Sequence, residues 1–457
     1  MITDATVVIL AGGQGTRMKS RMAKVLHRAG GKSLVEHAID AARGVAPPER
    51  IFVVVGYEAE SVRAVAEKAG VGSIHQKEQL GTGHAVMCGQ SQIGSHGGLL
   101  IVLNGDCPLI RPETVTRLAA HFEETGSGAS MITTDLPDPT HYGRIVRAAN
   151  GDVEAIVEHK AATTEQLALN EINAGFYCFD AAAFWKHVHE LTTDNPAREY
   201  YLTDMIAILL RAGRRVTALK IADSSELLGI NNRVELAAVD KIMRDRKARE
   251  LMLDGVTIER PETVTIDKDV RVGMDTVIGP FTQITGNTTI GENCSIGASC
   301  IVENAAIGDG VEMFPFSIVS GSQVDAHAHV GPYARMRMGA HLSENAHIGN
   351  FVELKKTHLG AGSKSMHFAY LGDSTIGSKV NIGAGTITCN YDGRNKHQTH
   401  IGDGAFIGSN STLVAPLEIA EGAYVAAGSV ITLPVPEKSL AFGRARQVNK
   451  PGRVPNK

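Results

Sequence analysis

A glycine-rich turn directly follows an apolar run near the N-terminus. Residues 10–18 read LAGGQGTRM, and the run VVIL at 7–10 precedes the glycines. Backbone amides in such a turn can hold phosphate oxygens, and Arg17 and Lys24 add positive charge nearby. These residue types in this order predict a phosphate-binding site. The alternative is a plain glycine turn with basic side chains at the surface.

Two common phosphate-binding designs do not fit this stretch. The dinucleotide fingerprint GxGxxG begins at Gly13 but has Met18 at its last glycine position. A Walker A loop around GKS at 31–33 would need glycine where Leu26 stands. The remaining design holds a nucleoside triphosphate on backbone amides with cations beside it. Because pyrophosphate gathers negative charge as it leaves, the two cations would face the β- and γ-phosphates.

The composition of the chain describes a globular protein of more than one domain. At 457 residues it is too long for a single core, so we expect roughly two or three domains. With 43% hydrophobic and 21% charged residues and a net charge of −4, nothing points to nucleic acid or membrane lipid as the main partner. One tryptophan and 49 glycines favour turn-rich repeats over a helical core.

The cysteines form no CxxC pair and no metal-like cluster, which predicts free thiols in a reducing compartment. They are Cys88, Cys107, Cys178, Cys294, Cys300 and Cys389. The N-terminal residues show no basic-then-apolar signal, and no run reaches the roughly 18 apolar residues of a membrane span. We therefore expect a cytoplasmic protein.

Residues 1–233 alternate short apolar runs with amphipathic stretches. The runs are VVIL at 7–10, IFVVV at 51–55 and LLIVL at 99–103, and the stretches include 33–45 and 59–70. Continuous apolar strands separated by helices indicate βαβ units, so we expect an α/β domain with a Rossmann-like mixed, mainly parallel sheet. A polar helical stretch over 234–254 follows and predicts a linker. The remaining residues, 255–457, would form a second domain.

In this second domain aliphatic residues recur every six positions. The first run is Val272, Ile278, Ile284, Ile290, Ile296 and Val302. The second is Ile318, Val324, Val330, Met336, Leu342, Ile348 and Leu354, and the third is Ile401, Ile407, Leu413, Ile419, Val425 and Ile431. Such hexapeptide repeats predict a parallel β-helix that buries one aliphatic side chain per side of each coil.

The period of six fails between Leu359 and His400, where HFAYLGD and CNYDGRNKHQ intervene. Breaks in a solenoid are usually loops that leave the coil, and such loops often carry function. A β-helix can also serve only as a spacer or a trimerisation handle, which is the alternative here.

Eight motifs occur in the order of one known family. They are LAGGQGTRM, KVLH (with Lys24), EQLGTGHA (78–85), NGDCPLI (104–110), YGRI (142–145), VEHK (157–160), EINAG (171–175) and GINNR (229–233). The sequence resembles the sugar-1-phosphate nucleotidyltransferases. Within them it is similar to the bifunctional family of N-acetylglucosamine-1-phosphate uridyltransferases that are also glucosamine-1-phosphate N-acetyltransferases. The resemblance covers the chain end to end and implies the left-handed form of the β-helix.

The resemblance implies a UTP and UDP-N-acetylglucosamine site in the first domain. Arg17 and Lys24 would be its catalytic cations, and Mg²⁺ would be held by Asp106 and Asn231, since hard oxygen ligands suit this ion. Taken alone, Asp106 could equally be a helix cap or turn residue. The implied binding residues are Leu10, Ala11, Gly12, Gly13, Lys24, Gln76, Gly81, Thr82, Asn104, Gly105, Asp106, Gly143, Glu158, Asn173 and Asn231. Asn104 stands where many family members carry tyrosine, a departure that bears on the sugar contacts.

The resemblance also implies an acetyl transfer site in the repeat domain. Moving an acyl group from a thioester to an amine needs a base, oxyanion donors and cations for any phosphate. His367 is the candidate base because an imidazole titrates near neutrality, although a lone histidine in a loop is more often structural. Implied glucosamine-1-phosphate contacts are Arg337, Lys355, Tyr370 and Asn381, assisted by Lys396. Implied acetyl-CoA contacts are Ala384, Asn390, Tyr391, Ser409, Ala427 and Arg444, of which Asn390 and Tyr391 would also position the sugar and its amine.

The sequence as a whole therefore predicts an enzyme with two sites. The repeat domain would acetylate glucosamine 1-phosphate, and the first domain would uridylate the product to UDP-N-acetylglucosamine, a precursor of peptidoglycan and lipopolysaccharide. Two alternatives stay open: a nucleotidyltransferase whose β-helix serves only assembly, and a sugar-nucleotide-binding scaffold without turnover. Family members form trimers with acetyl-CoA sites between subunits, so we expect a homotrimer. The basic tail at 443–457 is expected to be solvated apart from Arg444.

Overall fold

The structure is a computed structural model that describes residues 4–140, 142–159, 162–451 and 453. Lys160, the last residue of VEHK, lies outside the described residues, as do positions 452 and 454–457 of the basic tail. The chain divides into two compact units, Met1–Met243 and Arg244–Lys457. This division falls inside the helix Arg233–Leu253, and the domain limits drawn from the sequence stay a prediction.

The first unit contains a twisted mixed sheet. Its strands are β1 Ala5–Leu10, β4 Ile51–Val55, β5 Gly72–His75, β6 Leu99–Asn104, β7 Ala129–Asp135, β8 Arg144–Arg147, β9 Val153–Val157, β10 Glu171–Asp180 and β11 Val216–Lys220, with a separate pair β2 Arg28–Ala29 and β3 Lys32–Ser33. The main path runs β11-β7-β10-β6-β1-β4-β5. Within it β10 is antiparallel to β6 and β7, and the other pairs are parallel. The expected Rossmann-like mixed sheet is confirmed.

Helices cover both faces of this sheet, so alternate strand residues enter two separate cores. Val7 and Ile9 pack in one core and Val8 in the other, which explains why these strands read as continuous apolar runs. The helices are α1 Leu34–Ala42, α2 Ala59–Lys68, α3 Thr82–Met87, α4 Gln90–Ile93, α5 Pro112–Thr125, α6 Thr164–Leu167, α7 Ala181–His187, α8 Asp204–Arg211 and α9 Arg233–Leu253. The start of α1 is set by a reciprocal capping box between Ser33 and Glu36.

The carboxyl ends of four parallel strands meet at one edge of the sheet. Leu10, the last residue of β1, pairs with Val54 on one side and with Asn104 on the other. The turns after β1, β4, β5 and β6 therefore lie side by side. In open α/β sheets this edge is where ligands bind.

The second unit is a parallel β-helix whose described strands form three sheets. The first sheet is Thr257–Ile258, Val277–Ile278, Ser295–Ile296, Glu312–Met313, His329–Val330, His347–Asn350, Lys364–His367, Asn381–Ile382, Phe406–Ile407, Tyr424–Val425 and Leu440–Ala441. The second is Thr265–Ile266, Gln283–Thr285, Ile301–Glu303, Ile318–Ser320, Arg335–Arg337, Glu353–Lys355, Tyr370–Gly372, Ile387–Cys389, Thr412–Val414 and Val430–Ile431. The third is Arg271–Val272, Thr289–Ile290, Ala306–Ile307, Gln323–Val324, His341–Leu342, His358–Leu359, Ser374–Ile376, Thr399–Ile401 and Leu417–Ile419.

The hexapeptide aliphatics form one continuous core along the axis of this β-helix. Two of the nineteen predicted positions differ from expectation. Val319 is fully buried where Ile318 was expected, and Val272 is only half-buried. The shift at Ile318 arises because turns between Val302 and Val324 are one residue short, so the buried position moves by one while the coil continues.

The expectation that HFAYLGD leaves the coil is wrong. Its first residue ends the strand Lys364–His367, and its residues 370–372 form the strand Tyr370–Gly372. These two strands continue the first and second sheets. Ile348 pairs with Ser365, one position sooner than a strict repeat requires. A shortened turn therefore shifts the period of six while the coil continues. The buried position after this turn holds a serine instead of an aliphatic residue, so the sequence pattern does not show it. Residues 390–398 do leave the coil, between Ile387–Cys389 and Thr399–Ile401.

The cysteine prediction agrees with the structure, in which all six thiols are free and four are buried. Among the residues that the structure describes, no helix is both long and apolar enough to cross a membrane.

Candidate functional site

A cavity of about 350 Å³ opens at the carboxyl edge of the first unit's sheet. Its walls include most of the residues expected to bind the nucleotide. The lining is Leu10, Ala11, Gly12, Gly13, Gln14, Lys24, Val25, Gln76, Gln79, Gly81, Thr82, Ala85, Asn104, Asp106 and Glu199. Five of these lining residues were not predicted from the sequence, because nothing in their residue types sets them apart: Gln14, Val25, Gln79, Ala85 and Glu199.

Backbone hydrogen bonds hold the glycine turn against the neighbouring strand ends. The amide of Ala11 donates to Val54 O at 3.1 Å, and the amide of Gly105 donates to Leu10 O at 3.0 Å. The turn after β1 is thus tied to β4 on one side and to the turn after β6 on the other. This leaves Gly12 and Gly13 in the cavity wall, available to an anion.

Gln76 and Gly81 also line the cavity, and Gln76 Oε1 lies 2.9 Å from the position that a Cβ would take on Gly12. The Gln76 side chain is 4% exposed and donates from Nε2 to Gly81 O at 3.1 Å. Gly81 has φ +107°, and a Cβ there would lie 2.6 Å from Tyr200 O, so no other residue fits without moving the backbone. Thr82 then starts α3 and accepts a bond from Leu202 N at 3.0 Å. A buried amide held in this way can read the edge of a base.

Four polar side chains meet at the mouth of the cavity. Lys24 Nζ lies 2.5 Å from Asp106 Oδ2 and 3.4 Å from Asn231 Oδ1, while Arg17 Nη2 donates to the same Asn231 oxygen at 2.9 Å. The amide of Ile230 donates to Asp106 O at 3.0 Å, which fixes Asn231 beside Asp106. Residues from three distant parts of the sequence therefore form one cluster with two cations and one carboxylate.

This cluster fits a magnesium ion by its oxygen donors. Asp106 Oδ2 and Asn231 Oδ1 both point at one cationic nitrogen, that of Lys24, so their lone pairs converge as those of metal ligands do. Mg²⁺ is usually held by only one or two protein oxygens together with waters and substrate phosphates. No group of three or more His, Cys, Asp or Glu side chains that could hold a metal occurs in the described part of the chain. An ion at Asp106 and Asn231 would thus depend on phosphate oxygens as well.

A second set of predicted residues lies beside the cavity. The position that a Cβ would take on Gly143 is 3.6 Å from Glu158 Oε1 and 3.8 Å from Asn173 Cβ. The amide of Asn173 donates to Gly143 O at 2.9 Å, and Asn104 Nδ2 donates to Ala174 O at 3.2 Å. Asn104, which also lines the cavity, therefore joins this second set to the nucleotide side.

The carboxyl of Glu158 sits in a partly desolvated place. Burial, assisted by the nearby Asp204 carboxylate, raises the pKa of Glu158 above its ordinary value.

Arg144, two residues away from Tyr142 in YGRI, is 2% exposed and donates from Nη1 to Pro139 O and Tyr142 O, both at 2.6 Å. This buried guanidinium closes the turn that precedes Gly143. The sequence analysis did not single out Arg144 or Asp204.

In the second unit Lys355 is the centre of a charged cluster on the second sheet. Its Nζ lies 2.7 Å from Asp373 Oδ2, and the two side chains are 4% and 13% exposed. Asn390 Nδ2 donates to the same carboxylate oxygen. The bond to Asp373 raises the pKa of Lys355, and contact with Lys355 lowers the pKa of Lys396. The loop 390–398 brings Lys396 to Lys355.

Arg337 and Tyr370 lie on the same sheet as this cluster. Arg337 pairs in register with Lys355, and its Nε donates to Glu353 Oε1 at 2.6 Å. The position of a Cβ on Gly372 would be 2.5 Å from the Tyr370 hydroxyl and 2.8 Å from Asn390 Nδ2. Asp373 and Glu353 were missed because an acidic residue in a turn or at a strand end of a repeat resembles an ordinary surface residue.

His367 and Asn381 are placed on the first sheet. His367 ends the strand Lys364–His367 with an exposed side chain, and its Nδ1 lies 3.0 Å from Asn350 Oδ1. Asn381 follows in the next coil, pairs with Lys364 and is also exposed. His367 is the last residue of its strand in the first sheet, and Tyr370 begins the following strand, which belongs to the second sheet. The corner between these two strands therefore links the candidate base to the Lys355 cluster.

Four of the implied acetyl-CoA contacts form a column along that corner. The amide of Asn410 donates to Ala384 O and that of Gly428 donates to Ser409 O, both at 2.7 Å. A Cβ on Gly408 would lie 2.4 Å from Ala427 N, so glycine lets these coils stack closely. Arg444 Cδ is 3.8 Å from the position of a Cβ on Gly428. Ser409, Ala427 and Arg444 are exposed, whereas Tyr391 lies on the projecting loop, with its hydroxyl donating to Gly393 O.

The fold and its two clusters define a class: a nucleotidyltransferase domain joined to a hexapeptide-repeat transferase domain. The family model for the MobA-like NTP transferase domain matches residues 7–253, and the model for the bacterial transferase hexapeptide (six repeats) matches residues 269–304 and 398–432. The latter match agrees with the left-handed β-helix that the resemblance implied.

Similar proteins extend over nearly the whole chain. Bifunctional protein GlmU of Solibacter usitatus (strain Ellin6076) is 57% identical over 97% of this chain and 95% of its own length. Proteins of the same name from Koribacter versatilis (strain Ellin345) and Shouchella clausii (strain KSM-K16) are 49% and 46% identical, each over 98% of this chain and over 96% and 98% of their own lengths. The chain belongs to the family of bifunctional GlmU proteins, and it is a bifunctional transferase.

Proposed function

We propose that the chain makes UDP-N-acetylglucosamine in two steps at two sites. The β-helix unit acetylates glucosamine 1-phosphate with acetyl-CoA, and the sheet unit transfers a uridylyl group from UTP to the N-acetylglucosamine 1-phosphate formed. The observation that carries the proposal is the convergence of Arg17, Lys24, Asp106 and Asn231 at the mouth of the cavity. The six free thiols favour a cytoplasmic setting for both steps.

In the uridylyl transfer, a phosphate oxygen of the sugar phosphate attacks the α-phosphorus of UTP. The bond from that phosphorus to the bridging oxygen breaks, and pyrophosphate leaves. No protein nucleophile is needed, so positioning and charge supply the acceleration. Gln76 and Gly81 hold the uracil, and Gly12 and Gly13 hold phosphate oxygens with their amides. Arg17 and Lys24 neutralise the leaving group.

Mg²⁺ bound by Asp106 and Asn231 would supply further neutralisation of phosphate charge. Lys24 contacts the same two oxygens. When the triphosphate binds, Lys24 can therefore turn from Asp106 toward the phosphates. Gly143, Glu158 and Asn173 bind the sugar. Asn104 connects this sugar side of the pocket to the nucleotide side.

In the acetyl transfer, His367 takes a proton from the amine of glucosamine 1-phosphate. The amine nitrogen then attacks the thioester carbonyl, the carbon–sulfur bond breaks, and coenzyme A leaves as the thiol after taking up the proton that His367 holds. Arg337, Lys355 and Lys396 hold the phosphate of the sugar, while Tyr370, Asn381, Asn390 and Tyr391 orient the ring and its amine. Ala384, Ser409 and Ala427 line the acetyl-CoA site, and Arg444 binds the phosphates of acetyl-CoA.

Assays of the two half-reactions on the purified chain test the proposal. We expect thiol release from acetyl-CoA with glucosamine 1-phosphate, and pyrophosphate release from UTP with N-acetylglucosamine 1-phosphate. Chelation with EDTA should abolish pyrophosphate release and leave thiol release unchanged, because the proposed metal ligands belong to the first site only. Replacing UTP with dTTP measures how strictly uracil is required. Absence of both pyrophosphate release and thiol release, with Mg²⁺ present, would leave only a binding scaffold.

We also propose that the chain forms a homotrimer. A column of exposed aromatic rings follows the corner that leads to His367: Phe316, Tyr333, Phe351 and Phe368 stack with centroids 5.0, 5.3 and 5.1 Å apart and are 48–63% exposed. An apolar stripe of this length favours contact with another copy.

Light scattering should give a mass near three times the 48.5 kDa of one chain. Phe351→Asp should reduce that mass toward a single chain, since it places a charge in the stripe. Val448→Asp, at an exposed position of the C-terminal tail, is the matched control and should not. A single-chain mass for the unaltered protein at all concentrations would refute the trimer.

A further inference from the structure

Asn350 and His367 face each other in neighbouring coils of the first sheet. Their Cα atoms are register partners in the parallel ladder. The amide of Phe368 donates to Asn350 O at 3.1 Å, and the rings of Phe351 and Phe368 stack with centroids 5.1 Å apart. The residues that follow Asn350 and His367 are thus locked together, which holds the imidazole over the Asn350 side chain.

The atoms in contact determine the direction of the hydrogen bond. His367 Nδ1 lies 3.0 Å from Asn350 Oδ1. An amide oxygen has no proton to give, so Nδ1 must carry the hydrogen and donate it. In a neutral imidazole the other nitrogen, Nε2, then keeps the free lone pair.

We infer that Asn350 is a positioning residue for acetyl transfer, which fixes His367 in the tautomer that presents Nε2 as the base. The inference rests on the proposed role of His367 as the base. Asn350 acts through His367 and contacts neither substrate in this account. Its oxygen can accept the Nδ1 hydrogen both before and after Nε2 takes the amine proton, so the bond is kept through the reaction.

A neutral amide does this without placing a negative charge beside the imidazole. The sequence gives no signal for such a partner, because Asn350 occupies an ordinary repeat position before the corner. A free imidazole populates both tautomers, so loss of the acceptor would leave part of the protein with a protonated Nε2. Loss of the partner that orients a metal-bound histidine typically costs about 10- to 100-fold in activity, and we expect a loss of the same order for a histidine that acts as a base.

Asn350→Leu and Asn350→Asp separate this role from packing. Leucine keeps the approximate volume and removes the acceptor, whereas aspartate keeps an acceptor oxygen in the same place. We expect kcat for acetyl transfer to fall at least about tenfold in Asn350→Leu with the KM values of both substrates nearly unchanged. Asn350→Asp should keep most of the activity. Equal losses in the two variants, or full activity in Asn350→Leu, would overturn the inference.

The double variant tests whether Asn350 acts through His367. Asn350→Leu combined with His367→Ala should have the same residual acetyl transfer as His367→Ala alone. A further loss in the double variant would mean that Asn350 acts independently, and the inference would fall. Full acetyl transfer in His367→Ala would instead refute the proposed base itself, so the two failures are distinguishable. Pyrophosphate release by the same molecules checks that equal amounts of protein are compared, and unchanged KM values for acetyl-CoA and glucosamine 1-phosphate check that the β-helix unit of each variant is folded. Asn350→Asp decides the question if the leucine variant does not fold.

Discussion

Replacing Asp106 with alanine should abolish uridylyl transfer while acetyl transfer by the same molecule continues. Asp106 is the carboxylate at the mouth of the nucleotide cavity, and it contacts Lys24 directly. Its loss removes a proposed Mg²⁺ ligand and also frees Lys24 from its position near Asn231. Removing a single electrostatic contributor from a transition state commonly costs about 10²- to 10³-fold. Because two groups are affected here, we expect about a thousandfold loss of kcat.

Pyrophosphate release from UTP, measured across a range of Mg²⁺ concentrations, checks this result. Asp106→Asn is the isosteric variant: it keeps one oxygen, so it should retain more activity than alanine and need more Mg²⁺. Asp135→Asn is the matched control, since Asp135 is an exposed carboxylate of the same unit that pairs with Lys220. Unchanged UTP turnover in Asp106→Ala would show that the metal and phosphate assignments are wrong.

The Asp106 cluster also shows what a sequence can predict about such a site. The glycine turn, Arg17 and Lys24 are close in sequence, so their residue types alone indicate phosphate binding. Asn231 lies far along the chain, and nothing in its spacing connects it to Asp106. The connection is the backbone bond from Ile230 N to Asp106 O, which exists only after the chain has folded. Resemblance to a family was therefore needed to name Asn231 in advance.

The β-helix was predictable for a different reason. A coil that buries one aliphatic side chain per side must repeat in sequence, so its period is visible without any structure. The aliphatic residues at the buried positions do not show how long each turn is, however. Where turns lose a residue, as before Val319 and Ser365, the period slips and the sequence falsely indicates that the coil has ended. The second site lies at such a slip, which is why HFAYLGD was mistaken for a projecting loop.

The partners of the functional side chains were the hardest to foresee. Asp373 holds Lys355 and Asn390, and Asn350 holds His367. Each is a common polar residue in a turn or strand end of a repeat that contains many of them. Only the stacking of one coil on the next decides which polar residue meets which, so the pairing is a property of register.

Replacing His367 with alanine should remove acetyl transfer and leave uridylyl transfer intact. General base catalysis by a histidine typically contributes about 10²- to 10⁴-fold, and we expect a loss in that range. The side chain is exposed at the end of its strand, so its removal leaves no cavity in the core. His400→Ala is the matched control, an exposed histidine on the third sheet of the same β-helix.

Thiol release from acetyl-CoA and pyrophosphate release from UTP, measured on the same preparations, separate the possible functions. A loss confined to thiol release in His367→Ala, with His400→Ala fully active in both assays, is the expected pattern. Acetyl transfer that survives in His367→Ala would mean that the base lies elsewhere. No thiol release from any preparation, including the unaltered chain, would leave the β-helix as an assembly element only. The comparison is direct because each variant carries both sites, so a difference in protein concentration affects the two assays together, whereas a missing base affects only thiol release.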